Sequence, residues 1–253
     1  MKRIILLALL FSSHAVWASS NSCNINPEKI GAKYSFYTES YKSMPNSFDK
    51  HKHTTFKSLN IWRQEKHVAH EHPDDNITEI WNLVSDGRVR PVRYFDNDKR
   101  AIEYQPSDVN RGKGDRNWLA KNQLISDAFL TTFELKNTNK AGCDLEETYV
   151  YEKAGRTIEI VWLPALKLVK SYNEKSAKGK YKWQMNELIK NPKASDEFFA
   201  ARQSYMSTDY ADIGDNESDP FLMSMINLGF VEHGASGFYN ADGKPLAGAG
   251  HRH

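Results

Sequence analysis

The chain is poor in cysteine: Cys23 and Cys143 are its only two in 253 residues, and no CxxC pair exists to run thiol redox chemistry. It also lacks an excess of charge. Lys and Arg number 34 against 32 Asp and Glu, and loss of a leader carrying Lys2 and Arg3 leaves the balance even. That argues against a nucleic-acid binder, whose phosphate contacts need surplus Lys and Arg on one face. Behind the leader, no stretch approaches the ~20 apolar residues of a spanning helix, so no integral membrane segment is expected in the mature chain. Catalytic templates are missing too. There is no GxSxG elbow, no HExxH, no glycine-rich phosphate loop and no CxxCH, and the chain shows no internal repeat or low-complexity tract.

What is present begins with MKRIILLALLFSSHAVWA. Lys2 and Arg3 form a positive n-region, Ile4 to Phe11 an apolar run too short to cross a bilayer, and Val16 with Ala18 the small-residue pair of a cleavage site. Residues 1–18 therefore read as a signal peptide cleaved after about Ala18. Cys23 follows the polar Ser19 to Ser22 rather than a lipobox, so the mature protein is expected to be soluble and periplasmic. In an oxidising compartment Cys23 and Cys143 are expected to pair, tying the N-terminus to the middle of the chain.

With 40% hydrophobic and 12% aromatic residues, the chain can build a real core. Residues 19–54 read as an N-terminal segment. Residues 55–190 read as an antiparallel sheet domain with one inserted helix. Phe56 to Ala69 alternates as one long strand, and Ile77 to Val84 and Arg88 to Phe95 flank Asp86-Gly87, a hairpin signal because glycine accepts positive φ. Asp96 to Lys99 turns the chain into Arg100 to Tyr104. Trp118 to Leu130 has the spacing of a helix with one buried face. Strands resume at Thr131 to Leu135, Thr148 to Glu152 and Thr157 to Leu163. From Leu166 to Ile189 the pattern fits either a hairpin around Lys178-Gly179 or a helix over Lys182 to Lys190. Residues 191–253 read as a helical and loop extension, with one helix from Ser195 to about Tyr205 and another opened by Asp219-Pro220 and ended by Gly229.

A long strand, then ITEIWNLVSDGRVRPVRYFDNDKRAIEY, a helix, and TYVYEKAGRTIEIVWLPALKLVKSYNE resembles the periplasmic lipoprotein-carrier (LolA-like) superfamily over residues 55 to 190. The resemblance lies in the order of elements behind an export signal, and residues 191–253 depart from it. It implies a curved antiparallel sheet, half-closed like a barrel around helices, with a hydrophobic concavity for a lipid or other apolar ligand. It brings no residue roles. The fold class expected is α+β.

Trp62, Trp81, Trp118, Trp162 and Trp183 are candidate wall residues for such a concavity, or ordinary core. Phe230 and Phe238, with His233 and Tyr239, lie in a glycine-punctuated stretch that reads as a lid or as a surface turn. Two metal readings compete. Asp209, Asp212, Asp215, Glu217 and Asp219 crowd eleven residues, a density that suits Ca²⁺ or, alternatively, helix capping and solvation. An EF-hand is excluded, because Pro220 stands where its glycine belongs and Ile226 where its last carboxylate belongs. His67, His70 and His72 are candidate Cu²⁺ or Zn²⁺ ligands, with His70 and His72 on one strand face and His67 on the other. They need help from His51, His53 or Glu71, while His251 and His253 add further imidazoles. Glu146 and Glu147 make a poor acid–base pair, since adjacent strand residues face opposite ways. No cofactor is expected beyond possible Ca²⁺. The preferred reading is a non-catalytic binding or carrier protein for an apolar ligand or an envelope partner, ahead of a metal-binding protein and of an envelope enzyme.

Overall fold

The computed structural model describes residues 23–43, 50–109, 113–215 and 218–227. Its strands are β1 (Gly31–Ser43), β2 (Lys50–Gln64), β3 (His67–His72), β4 (Ile77–Leu83), β5 (Val89–Phe95), β6 (Arg100–Glu103), β7 (Glu134–Asn139), β8 (Glu146–Lys153), β9 (Arg156–Leu163), β10 (Leu168–Ser176), β11 (Gly179–Ile189) and β12 (Met206–Asp209). The helices are α1 (Trp118–Gln123), α2 (Asp127–Leu130), α3 (Pro192–Gln203) and α4 (Pro220–Asn227). The strands form one open sheet of 12, in the order β12-β6-β5-β4-β3-β2-β1-β11-β10-β9-β8-β7. Two meanders, β1 to β6 and β7 to β11, join where β1 pairs with β11. Every neighbouring pair is antiparallel except the parallel pair β12–β6.

The expected N-terminal segment is no separate unit. β1 lies within it and sits mid-sheet, directing Ala32, Tyr34 and Phe36 by alternation to one face. The long strand expected over Phe56 to Ala69 breaks instead into β2 and β3 at Glu65-Lys66. Glu65 takes φ 55° there, a left-handed turn unmarked by Gly or Asn. The single helix expected over Trp118 to Leu130 is two. Leu124 turns left-handed at φ 67°, and the Ser126 hydroxyl then caps α2 by accepting the Phe129 amide at 3.1 Å. Residues 182 to 189 belong to a strand paired with β10 and β1, which bears out the hairpin reading over the helical one. Gly179 is required at its turn, because a Cβ there would stand 1.8 Å from the Glu39 carbonyl oxygen.

Side chains of β4 and β5 (Trp81, Val89) share one packed cluster with Leu163, Leu166 and Leu168 of the β9–β10 turn. Four strands lie between β4 and β10 in the sheet, so the sheet must curl about this face, which is therefore concave. Cys23 and Cys143 are bonded, with Cα atoms 4.5 Å apart, which holds the N-terminal stretch against that cluster. No helix among the described residues is long and apolar enough to cross a membrane.

The C-terminal extension packs on both faces. α3 covers the convex side of β2 to β4, with Phe198 and Phe199 on Trp62, Ala69 and Ile80. Asn191, four residues before the expected start at Ser195, caps α3, while Ser195 is buried and donates to the Arg63 carbonyl. β12 then lines the sheet edge, and the 3-10 turn Tyr210–Asp215 and α4 return over the concave side against Ile77, Phe95, Ile102 and Tyr104. The end expected at Gly229 lies outside the described residues.

Candidate binding face

The middle of the concavity is filled by the protein itself. Trp118 and Leu124 of the α1 region pack on the central cluster, and the Lys121 ammonium lies 4.5 Å over the Trp81 ring. Below them Arg63 is fully buried. Its Nε donates to Asn122 O at 2.8 Å, Nη1 to Pro27 O at 3.2 Å and Leu166 O at 2.6 Å, and Nη2 to Lys167 O at 2.6 Å and again to Asn122 O. Burial lowers the Arg63 pKa to about 10, so the group stays charged at neutral pH, solvated by carbonyl dipoles from three segments.

What remains open lies towards the β7 edge. The ladder places Tyr149 opposite Ile160, Ile160 opposite Tyr172, Tyr172 opposite Trp183 and Trp183 opposite Phe36. The next row on the same face runs Tyr151, Ile158, Glu174, Tyr181 and Thr38. Tyr172 stacks on Trp183 at 4.7 Å, and Phe36 lies 5.4 Å from Trp183. Phe36, Tyr149, Tyr151, Tyr181 and Trp183 are half-buried, and all but Phe36 pack in a cluster whose floor also holds Ile125 and Leu130. Phe133 flanks the band, 5.6 Å from Tyr151. The phenol groups point to carboxylates, Tyr149 donating to Glu147 at 2.8 Å and Tyr172 to Glu174 at 2.7 Å. Arg156 holds Glu174 from its rim at 2.7 and 3.0 Å. Burial and then the Glu147 bond push the Tyr149 hydroxyl up to about 12, and Tyr172 is raised for the same reasons. The Tyr149 and Tyr172 hydroxyls are therefore neutral and engaged, and the charge of Glu174 in the second row is paired with Arg156.

Of the expected wall residues, Trp183 lies in this band and Trp162 is buried in its floor. Trp81 and Trp118 belong to the filled middle. Trp62 needs correction: it points to the convex side, where Phe198 stacks on it at 4.6 Å, and α3 seals it from any ligand on the concave face. Phe230 and Phe238 lie outside the described residues. The tyrosines and Phe36, which tryptophan-counting missed, were signalled by alternate aromatic spacing in 149–151 and 181–183.

The metal candidates disperse. His67 Nδ1 meets Asn82 Oδ1 at 2.5 Å on the convex side. His70 is buried on the concave side with Nε2 2.7 Å from the Lys121 carbonyl, which assigns the proton to Nε2, and its ring sits edge-on to Trp81. His72 follows on the same side as His70. Asp219 caps α4, accepting the Phe221 and Leu222 amides at 2.9 and 3.3 Å, and pairs with Arg100 at 2.8 Å. Asp209 ends β12, Asp212 and Asp215 sit in the 3-10 turn, and Glu217 is outside the described residues. Among the described residues, no three His, Cys, Asp or Glu are grouped to hold a metal ion. Glu146 is taken by Lys140 and Lys170, at 2.6 and 2.5 Å.

His70 makes a pH prediction. Burial first, then the positive field of Lys121, His72 and Arg63, lowers its pKa from 6.5 to about 3 against the opposing Lys121 carbonyl, and His72 is lowered too, chiefly by burial. The unfolded chain therefore binds protons the folded one refuses, and stability falls as pH drops below about 6.5. Each such histidine contributes up to about 1.4 kcal/mol per pH unit. Urea midpoints measured from pH 6.5 to 5 should fall, and His70→Gln should flatten that slope by close to one proton; an unchanged slope contradicts the burial of a neutral His70.

No family model matches the chain, and no curated protein does. Among solved structures it is similar to PNGF-II, at 15% identity and TM-score 0.31 over 63% of this chain and 28% of that one. It is similar to the Pseudomonas aeruginosa MucA/MucB complex structure, at 12% and 0.28 over 64% and 52%. A putative outer membrane lipoprotein-sorting protein domain from Vibrio parahaemolyticus follows at 7% and 0.26, over 68% and 91%. The chain thus spans under a third of the first and about half of the second. At these values the likeness assigns neither fold nor activity.

Proposed function

We propose that this is an exported, non-catalytic binding protein that receives an apolar or lipid-like ligand on the band Tyr149–Tyr172–Trp183–Phe36. The half-buried rings of Tyr149, Trp183 and Phe36, set on a floor that includes buried Tyr172, carry the reading: aromatic surface whose neighbouring charges are already paired gains by covering itself with apolar matter, at roughly 25 cal/mol per Å². Export to the periplasm is supported by the leader pattern and by the Cys23–Cys143 bond, which belongs to an oxidising compartment. The filled middle confines the guest to the β8–β11 side, so a single chain or small apolar body fits better than a bulky one.

Titration with an apolar dye such as N-phenyl-1-naphthylamine tests this. Saturable binding that quenches Trp183 is expected, with Trp183→Ala weakening it at least tenfold. Trp62→Phe, on the opposite face, should leave affinity unchanged. Equal loss in both variants, or no saturable binding, contradicts the proposal.

A further inference from the structure

The convex face carries a second surface of different chemistry. α3 shields Trp62, but Phe56, six positions earlier on the same side of β2 and therefore roughly 20 Å away, is 73% exposed. Tyr37 lies beside it at 5.2 Å, and Tyr41, 38% exposed, follows on β1. Lysines surround these rings. Lys182 is opposite Tyr37, Lys180 is opposite Glu39, Lys175 is opposite Lys180, and Lys52 is opposite Tyr41; all four are exposed. Glu39 lies among them and is withdrawn, whereas exposed Glu159, opposite Asn173 and so next but one to Lys182, marks the far side of the patch. Its side chain is 2% exposed beneath Lys52 (2.9 Å) and Lys180 (3.2 Å), and it accepts the Tyr37 and Tyr41 hydroxyls, each at 2.6 Å. Those bonds hold its carboxyl well below the usual range, so it stays ionised and engaged.

We propose that this face docks the protein onto an anionic membrane surface. An exposed phenylalanine between tyrosines, ringed by flexible lysines and placed on a convex sheet, has no cleft to grip a folded partner. It matches a deformable interface in which rings enter the headgroup layer and ammonium groups meet phosphates. Glu39, clamped by the same tyrosines and lysines, presents no carboxylate to repel that layer. The surface is independent of the aromatic band on the concave side.

Co-sedimentation of the full chain with vesicles tests it. Phosphatidylglycerol–phosphatidylethanolamine vesicles should bind the protein, phosphatidylcholine vesicles should not, and binding should fall with added salt. Lys175→Gln and Lys182→Gln, which leave the Glu39 clamp intact, should each lower partitioning about fivefold. Phe56→Ala should lower it about tenfold, and Lys66→Gln, in the β2–β3 turn, should change nothing. Thermal melts of each variant confirm folding. Equal binding to both vesicle types, indifference to these substitutions, or capture of an envelope protein through the same residues without vesicle binding overturns the proposal.

Discussion

Arg63→Ala is expected to cost about 3–5 kcal/mol, because the carbonyl oxygens that share the guanidinium each lose a donor at about 1–3 kcal/mol. In a domain of this size that lowers Tm by on the order of 10 °C. The size of the effect follows from what the guanidinium joins. Pro27 precedes β1, Asn122 lies in the last turn of α1, and Leu166 and Lys167 belong to the β9–β10 turn. Removing the donor leaves several buried carbonyls without a hydrogen bond and frees the segments that plug the concavity. Arg63→Lys should recover only part of the loss, since a single ammonium cannot span the same fork of acceptors. Differential scanning calorimetry of the two variants measures this, and a Tm within about 2 °C of wild type in Arg63→Ala contradicts the hub role.

Loss of the Cys23–Cys143 bond should be comparably severe. The bridge closes a loop with a sequence separation of 120 residues. On the chain-entropy model such a loop is worth about 4–5 kcal/mol through restriction of the unfolded chain. The double replacement Cys23→Ser/Cys143→Ser, and wild type treated with dithiothreitol, should both melt about 10 °C or more lower. The two effects should also couple. The bond anchors the stretch that brings the Pro27 carbonyl to Arg63, so the combined variants should lose less than the sum of their separate losses. Strict additivity contradicts the shared anchor.

Much of the sheet was legible in the sequence because alternation and turn chemistry coincide there. Asp86-Gly87 turns β4 into β5 with Gly87 at φ 79°, and Lys153 to Gly155 separates β8 from β9 as their residue types require. The Asp219-Pro220 opening of α4 was legible for the same local reason. Illegible were features decided by tertiary context. Glu65 and Leu124 adopt left-handed turns that neither residue favours, which split an expected strand and an expected helix. β1 alternates Ala, Tyr and Phe against Lys, Ser and Tyr, a pattern whose central placement emerges only through pairing with β11. In the site, the resemblance anticipated a curved sheet but not that α1 and the β9–β10 turn would fill its middle. Trp62 shows the limit of reading by residue type: its parity, set by the β1–β2 register, turns it away from the concavity.

The central claim is that the uncovered part of the concave face, rather than its filled middle, takes an apolar guest. Native mass spectrometry of the full chain, purified without detergent from its own host, tests it most directly. The account predicts a lipid-sized adduct on wild type that survives in Trp62→Phe and is lost in Trp183→Ala with Tyr172→Ala. An adduct retained by that double variant, or a wild-type spectrum at bare protein mass, contradicts it.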